Sequence, residues 1–287
     1  MLYVNSYSEI EHKLFDLLST TGIVTKQNLK SFNEEIKSAK INIHCTEKIL
    51  LYSFQDLNSY AHLNSFKHEV DSVKKVVEYI KDQSFEKIIL ISYPGSYSSS
   101  ANLFLQHKGM IEHIFINTGI PTTILNVQAI GDSKLQINNL KSLFQNTQGN
   151  QYILPKFYSN RIYTIQLQYL AEIIHKAKTN KVQGRFDVFD TIMDIGTFLT
   201  SYSYIDKVRY WMPLYLYLLS YFERYMSPTM LELFLISDIR MFKFRTEKEF
   251  GITLNAETNV SSKLITEKST FEKSRYDTVL KALVPIE

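Results

Sequence analysis

The feature that most constrains the fold is a strand-like segment set between two helix-like segments in the first half of the chain. The run Lys87–Tyr93 (KIILISY) is almost continuously apolar and rich in β-branched residues, which is typical of a strand buried in a parallel sheet. It follows the amphipathic segment Phe66–Lys81 and precedes a second helical segment, Ala101–Asn117, and a second buried strand, Pro121–Val127. Alternating strands and helices are joined by right-handed crossovers, so we expect an α/β fold with a doubly wound parallel sheet.

The beginning of the chain shows the same alternation. Leu2–Val4 is a short apolar strand, the polar turn Asn5–His12 follows, and the amphipathic segment Ile10–Leu18 ends near Gly22. This is the outline of the first strand–turn–helix unit of a Rossmann-like dinucleotide-binding domain, although the turn contains no glycine.

The alternation is regular up to about residue 130 and then changes. We expect residues 1–130 to form a Rossmann-like core, and residues 131–255 to complete the sheet and add a small, mainly helical C-terminal lobe of the substrate-binding type. The segment from Met193 to Phe244 is predicted to be largely helical, and residues 256–287 are predicted to be a polar C-terminal extension.

Composition excludes several classes of function. The net charge of +3 is spread in ones and twos, which argues against a nucleic-acid-binding protein. The single cysteine, Cys45, excludes a disulfide framework and fits a reducing compartment, so we expect a cytoplasmic protein. No signal peptide is visible, and the longest uncharged apolar stretch, Trp211–Phe222, is too short for a transmembrane segment. The histidines show no metal-ligand spacing, so no metal is expected.

The segment 87–130 carries a resemblance to a known family. Ser92 ends the strand, Lys108 precedes Glu112 on the following helix, and the phrase Thr118–Leu125 (TGIPTTIL) comes next. This order resembles the atypical, extended short-chain dehydrogenases/reductases, and is most similar to the NmrA-like group and the 39 kDa subunit of respiratory complex I. The resemblance extends over roughly residues 1–250 and implies a Rossmann fold of the NAD(P)-binding superfamily.

The resemblance places three side chains at the positions where the family has its phosphate-binding glycines: Ser6, Glu9 and His12. The second glycine lets the backbone approach the pyrophosphate, whereas Glu9 fills that space and brings a negative charge. Two like charges about 4 Å apart repel by about 1 kcal/mol in water and more in a partly buried site. We therefore expect degenerate cofactor positions and no cofactor, with NADP as the alternative.

The resemblance also implies a degenerate catalytic motif. Family members with a Tyr-x-x-x-Lys motif use the phenol as a proton donor, and here Phe104 stands four residues before Lys108. Ser92 retains a hydroxyl that could polarise a carbonyl group, and Tyr97 with His107 or Lys108 is a candidate acid/base pair. The alternative interpretation is that Tyr97 is a half-buried loop residue and that His107 and Lys108 face solvent.

Aromatic residues suggest an apolar pocket. Tyr93, Phe104, Tyr202 and Trp211 are candidates for its lining, which would suit a small apolar molecule. The aromatic residues near Tyr202 and Trp211 have a second interpretation, as the hydrophobic core of the C-terminal lobe or as a patch for a partner.

The leading functional hypothesis is a pseudoenzyme: a relative of the NmrA-like proteins that has lost the standard NAD(P) redox machinery. Its pocket would serve a non-redox step on an apolar small molecule, or ligand sensing or scaffolding. The alternatives are an NAD(P)H-dependent reductase with an unusual phosphate-binding loop, and a structural subunit of a larger complex. A homodimer or a larger protein complex is a further expectation, whereas the substrate and the reaction stay open.

Overall fold

A computed structural model gives the fold of the chain and describes residues 1–5, 14–19, 25–28, 48–53, 63–100, 102–130, 151–155, 161–194, 207–211, 241, 244–252 and 257–258. The chain divides into two compact units, Met1–Glu257 and Thr258–Glu287. The elements below belong to the first unit, apart from the last residue of the last strand. The predicted domain boundaries stay a prediction.

The helices and strands follow one another as the alternation predicts. The strands are β1 (Leu2–Asn5), β2 (Thr25–Asn28), β3 (Ile49–Tyr52), β4 (Lys87–Ser92), β5 (Thr122–Asn126), β6 (Ala129–Ile130), β7 (Gln151–Pro155), β8 (Arg161–Ile165), β9 (Gly184–Asp187), β10 (Thr191–Asp194), β11 (Lys207–Trp211) and β12 (Glu257–Thr258). The helices are α1 (described over residues 14–19), α2 (Leu63–Asp82), α3 (Leu103–Ile116), α4 (Leu167–Thr179) and α5 (Phe244–Phe250).

The largest sheet has six parallel strands in the order β2-β1-β3-β4-β5-β9. The predicted Rossmann-like, doubly wound parallel sheet is thus confirmed. The strand β2 lies on one side of β1, and β3 lies on the other side and is followed outward by β4, β5 and β9. The direction in which successive strands are added to the sheet therefore reverses between β1 and β3. Because all strands are parallel, their carboxyl ends share one edge of the sheet, where Tyr52, Ser92, Asn126 and Asp187 lie.

Alternating side chains of each strand build a hydrophobic core on each face of this sheet. Leu51, Ile89 and Leu125 face one side and pack against α1 and α4. Leu50, Leu90 and Ile124 face the other side and pack against α2 and α3. Ser92 is on the same face of β4 as Ile88 and Leu90, so its side chain also faces α2 and α3.

Local signals explain where the covering helices form and end. Val73, Val76 and Ile80 form the buried stripe of α2, whereas Lys74 is exposed. Asn102 caps the beginning of α3, because its Oδ1 accepts hydrogen bonds from the backbone N–H groups of residues 104 and 105 at 3.0 and 3.2 Å. The chain leaves α3 through Gly119, whose φ of +76° suits a residue without a Cβ.

The structure also contains a four-stranded and a two-stranded sheet. In one of them β8 pairs antiparallel with β10 and parallel with β6; in another, β7 pairs parallel with β11. The strand β11 lies inside the segment predicted to be largely helical, which corrects that detail. Its sequence, KVRYW, alternates polar and apolar residues and contains valine and aromatic residues, a pattern that favours a strand.

Within the described part of the chain, none of the helices combines the length and the apolar character needed to span a bilayer.

Candidate functional site

The candidate site begins with two hydroxyl groups at the carboxyl edge of the sheet. Tyr52 ends β3 and Ser92 ends β4, on neighbouring strands that run in parallel register. Both face α2 and α3, and both are almost completely buried. In open α/β sheets, ligands bind beyond this edge, so the polar groups behind it are candidates for function.

The first polar group of the site, here called the Glu69 cluster, consists of Tyr52, Glu69, His107 and Lys108. Tyr52 donates a hydrogen bond to the Glu69 carboxylate at 3.1 Å. His107 Nε2 lies 2.8 Å from Glu69 Oε2, and Lys108 Nζ lies 3.7 Å from Glu69 Oε1. The Glu69 and Lys108 side chains are only 0% and 3% exposed, so this ion pair is enclosed by protein. The Glu69 cluster thus joins α2 to α3, and through Tyr52 it connects both helices to β3.

The second polar group, here called the Glu112 cluster, consists of Ser92, Glu112 and Arg185. Ser92 Oγ donates a hydrogen bond to Glu112 Oε1, and the Arg185 guanidinium pairs with Oε2. The Glu112 side chain is 1% exposed, whereas that of Arg185 is 29% exposed. Burial raises the pKa of the Glu112 carboxyl group, while Arg185, Ser92 and the charge of Lys108 act in the opposite direction.

The loop between β4 and α3 is held next to the Glu112 cluster. Tyr93–Ser96 forms a turn in which the Ser96 N–H donates to the Tyr93 carbonyl group at 3.2 Å, with Pro94 and Gly95 at its centre. The φ of +79° at Gly95 is the conformation that this proline–glycine turn requires. Arg185 donates to the Ser96 carbonyl group at 3.0 Å. A single arginine thus binds the loop and the buried carboxylate.

Two further contacts fix the loop on α3. The Arg185 guanidinium lies over the Tyr97 ring, 4.9 Å from its centroid. Gly109 of α3 lies against the backbone of Tyr97 and Ser98, where any Cβ would overlap. A glycine is therefore required at position 109 for the loop to lie this close to the helix.

The residues at the family's catalytic positions do not form a proton-donating dyad. Phe104 is completely buried and packs edge-to-face against Tyr93, with the ring centroids 5.4 Å apart. Lys108 Nζ lies 5.8 Å from the centroid of the Phe104 ring and is paired with Glu69. Burial raises the pKa of the Tyr93 phenol far above its ordinary value, so this phenol is a weaker acid than that of an exposed tyrosine.

The structure brings together some of the predicted site residues and separates others. Ser92, Phe104, His107 and Lys108 all lie on the α2/α3 side of the sheet edge. His107 and Lys108 are buried, which corrects the alternative interpretation that they face solvent. Tyr97 is exposed and its ring stacks on Arg185, whereas His107 and Lys108 are placed against Glu69. The predicted pair of Tyr97 with His107 or Lys108 stays a prediction.

Other predicted site residues are not described by side-chain contacts. Ser6, Glu9, His12 and Tyr202 lie outside the residues that the structure describes. Trp211 is placed at the end of β11, opposite Pro155 of β7, and only this backbone position is described. The lining of the predicted apolar pocket by Tyr202 and Trp211 therefore stays a prediction.

Four residues of the two clusters were missed from the sequence: Tyr52, Glu69, Glu112 and Arg185, of which Glu112 was named only as part of the family resemblance. A signal existed for Glu69, because it stands four residues before Val73 and so on the apolar stripe of α2. A carboxylate on such a stripe must be paired in the interior. Arg185 gave no local signal, since its partners are distant in the sequence.

Among the residues that the structure describes, there is no group of three or more histidine, cysteine, aspartate or glutamate side chains that could hold a metal ion.

Comparison with solved structures gives clear matches to the fold. A nucleoside-diphosphate-sugar epimerase from Staphylococcus aureus is 14% identical, with a TM-score of 0.59 over 88% of this chain and 98% of that chain. A human epimerase family protein with NADPH is 11% identical, with a TM-score of 0.61 over 88% and 95%. The Citrobacter sp. triphenylmethane reductase complexed with NADP(H) is 11% identical, with a TM-score of 0.60 over the same shares. No protein-family model and no curated protein matched the sequence.

These matches confirm the fold that the sequence resemblance implied, and at these identities they establish the fold alone. They also correct one expectation. The prediction of no cofactor is wrong on this comparison, because structures of the same fold were determined with NADPH and NADP(H). The alternative that fits is NADP.

Proposed function

Because the chain has the fold of the extended short-chain dehydrogenases/reductases, we propose that it binds NAD(P) at the carboxyl edge of the sheet, between β1 and β3. The order of the parallel strands reverses between these two strands. In doubly wound sheets the crevice at this reversal holds the dinucleotide. The structures with NADPH and NADP(H) support the proposal through their shared fold.

We propose further that the protein with NAD(P) bound does not use the proton transfer from a tyrosine phenol that is typical of the family. The observation that carries this is the pair Phe104 and Lys108. A completely buried hydrocarbon ring stands where a phenol would be needed, and the nearby ammonium group is held by Glu69 in the interior. The site would then serve a non-redox step on a small apolar molecule, or the sensing of such a molecule or of the dinucleotide.

A second candidate function is an NAD(P)H-dependent reductase with an altered proton pathway. Ser92 favours it, because this residue keeps a hydroxyl group at the end of β4 and is hydrogen-bonded to a buried carboxyl group. Hydride transfer to a carbonyl carbon needs a proton for the oxygen, and a hydroxyl group in this place could deliver it.

A titration of the purified chain with NADPH and NADH tests the binding proposal. We expect dissociation constants in the micromolar range, measured by calorimetry and by the change in nicotinamide fluorescence. Failure to bind either dinucleotide at millimolar concentration would exclude the proposal. Oxidation of bound NADPH by carbonyl compounds, lost in Ser92→Ala, would favour the reductase over the sensing or non-redox role.

A further inference from the structure

In the Glu112 cluster, a buried carboxyl group is hydrogen-bonded to a hydroxyl group at the carboxyl edge of the sheet, an arrangement that could supply a proton there. Ser92 lies at the carboxyl end of β4, and its hydroxyl group is bonded directly to the buried Glu112 carboxyl group. Arg185 pairs with the other oxygen of the same carboxyl group and is itself partly exposed. One end of the chain of contacts therefore lies at the carboxyl edge of the sheet, on the strand next to β3, which borders the proposed crevice. The other end, Arg185, is partly exposed to solvent.

We propose that Glu112 is the proton reservoir of this site: when Glu112 is protonated, the hydrogen bond to Ser92 is reversed, and the carboxyl group gives its proton to Ser92 Oγ as Ser92 gives its own hydroxyl proton to an oxygen atom of the ligand. In a reduction, the electron pair would come as hydride from NAD(P)H to the ligand carbon, so the proposal rests on the proposed cofactor binding and on the second candidate function, the reductase. The ligand carbonyl becomes an alcohol, Ser92 is neutral before and after, and Glu112 is left as a carboxylate that later takes a proton from water.

The surroundings of Glu112 suit both of its charge states. Burial favours the neutral carboxyl group, as the raised pKa indicates. Arg185 from β9 stabilises the carboxylate after the proton has left, and Lys108, one turn earlier on α3, adds a weaker attraction. The charge of Lys108 is itself paired with Glu69 of α2. A group with balanced opposing influences can exchange a proton at modest cost.

The neighbouring side chains are less suited to this role. Phe104 carries no exchangeable proton. Tyr93 is buried against Phe104, and its phenol is hydrogen-bonded to the Gln128 amide rather than to a carboxyl group that could replace its proton. Glu112 is therefore a positioning residue that acts through Ser92, and Ser92 is the group that would touch the ligand.

An infrared pH titration of the purified chain tests the reservoir without any ligand. We expect a carbonyl-stretch band of a protonated, buried carboxyl group that persists above the pH range of ordinary glutamates. The band should vanish in Glu112→Gln and stay in the control Glu78→Gln, which changes an exposed glutamate of α2. A band that survives in Glu112→Gln overturns the proposal.

Ser92→Ala supplies a second test in which Glu112 is intact. The hydrogen bond from Ser92 stabilises the carboxylate, so its loss should move the titration midpoint of the band to higher pH, whereas Ser92→Thr should keep it near the wild-type position. An unchanged midpoint in Ser92→Ala overturns the coupling of the two groups. Because these spectra need no dinucleotide, a failure of the reservoir is distinguishable from a failure of NADPH binding, which the separate titration reports.

Discussion

The two buried glutamates of the site, Glu69 and Glu112, differ in what surrounds them. Glu69 is held by Tyr52, His107 and Lys108, and the exposed fractions of the histidine and lysine side chains are 5% and 3%. Glu112 is held by a serine at the end of a strand and by an arginine that is 29% exposed. One carboxylate is enclosed between helices, whereas the other connects the sheet edge with the protein surface.

This difference separates a structural from a functional role. A buried carboxylate surrounded by buried partners fixes the position of two helices, and its removal leaves uncompensated charge inside the protein. A buried carboxylate with one partner at a ligand edge and another near solvent can gain and lose a proton. We therefore assign helix pairing to Glu69 and proton exchange to Glu112.

Replacing Glu69 should produce the largest effect. Glu69→Ala removes a buried carboxylate that pairs with His107 and Lys108, and we expect a loss of about 3–5 kcal/mol in the free energy of unfolding, because the buried charge of Lys108 would lose this ion pair. Urea denaturation followed by circular dichroism measures it. Glu78→Ala, at an exposed position of the same helix, is the matched control and should change stability by less than about 0.5 kcal/mol. Equal effects of the two substitutions would contradict a structural role for Glu69.

Replacing Gly109 should disturb the Glu112 side of the site. Gly109→Ala places a Cβ against the backbone of Tyr97 and Ser98, so the loop must move away from α3. We expect a loss of about 1–3 kcal/mol, typical of overpacking, and a more mobile loop. Denaturation gives the first quantity, and limited proteolysis of the loop gives the second. Met110→Ala, at the neighbouring exposed position, should leave the loop as resistant to protease as in the wild type; a similar rate of cleavage in both variants would contradict the close contact.

Replacing Glu112 should change how stability depends on pH. The folded protein raises the pKa of this carboxyl group, so it binds the proton more tightly than the unfolded chain does. The resulting stabilisation is present below the unfolded-state pKa and is lost as pH rises through the folded-state pKa. Glu112→Gln does not titrate, so its stability relative to the wild type should improve as the pH rises from the ordinary pKa range of glutamate through the raised folded-state pKa of Glu112. Denaturation curves across this range measure the difference; a constant offset would contradict the raised pKa.

Sequence predicted the sheet better than the site, for a physical reason. The runs KIILISY and PTTILNV are almost continuously apolar, which is typical of strands buried on both faces. This pattern can be seen in consecutive residues, without knowledge of distant parts of the chain. The Glu112 cluster instead depends on Arg185, which reaches Glu112 only because β9 pairs with β5 at the end of the sheet. Ser92 and Lys108 were predicted as site residues from the family resemblance, but whether Lys108 faces solvent or Glu69 depends on how α2 packs on α3.

The smallest effect is expected at Glu9, which lies outside the described residues and stands at the family's second glycine position. Glu9→Gly should strengthen binding of NADPH, because it removes a side chain and a negative charge from the place of the pyrophosphate. A repulsion of about 1 kcal/mol corresponds to an affinity gain of roughly fivefold. Calorimetric titration of the wild type and the variant measures the gain. Glu11→Gly removes an acidic residue of the same turn that does not align with a glycine and should change the affinity less. If the two variants bind equally well, either the alignment of this turn with the glycine-rich loop is wrong, or Ser6 and His12 weaken the binding of NADPH more than Glu9 does.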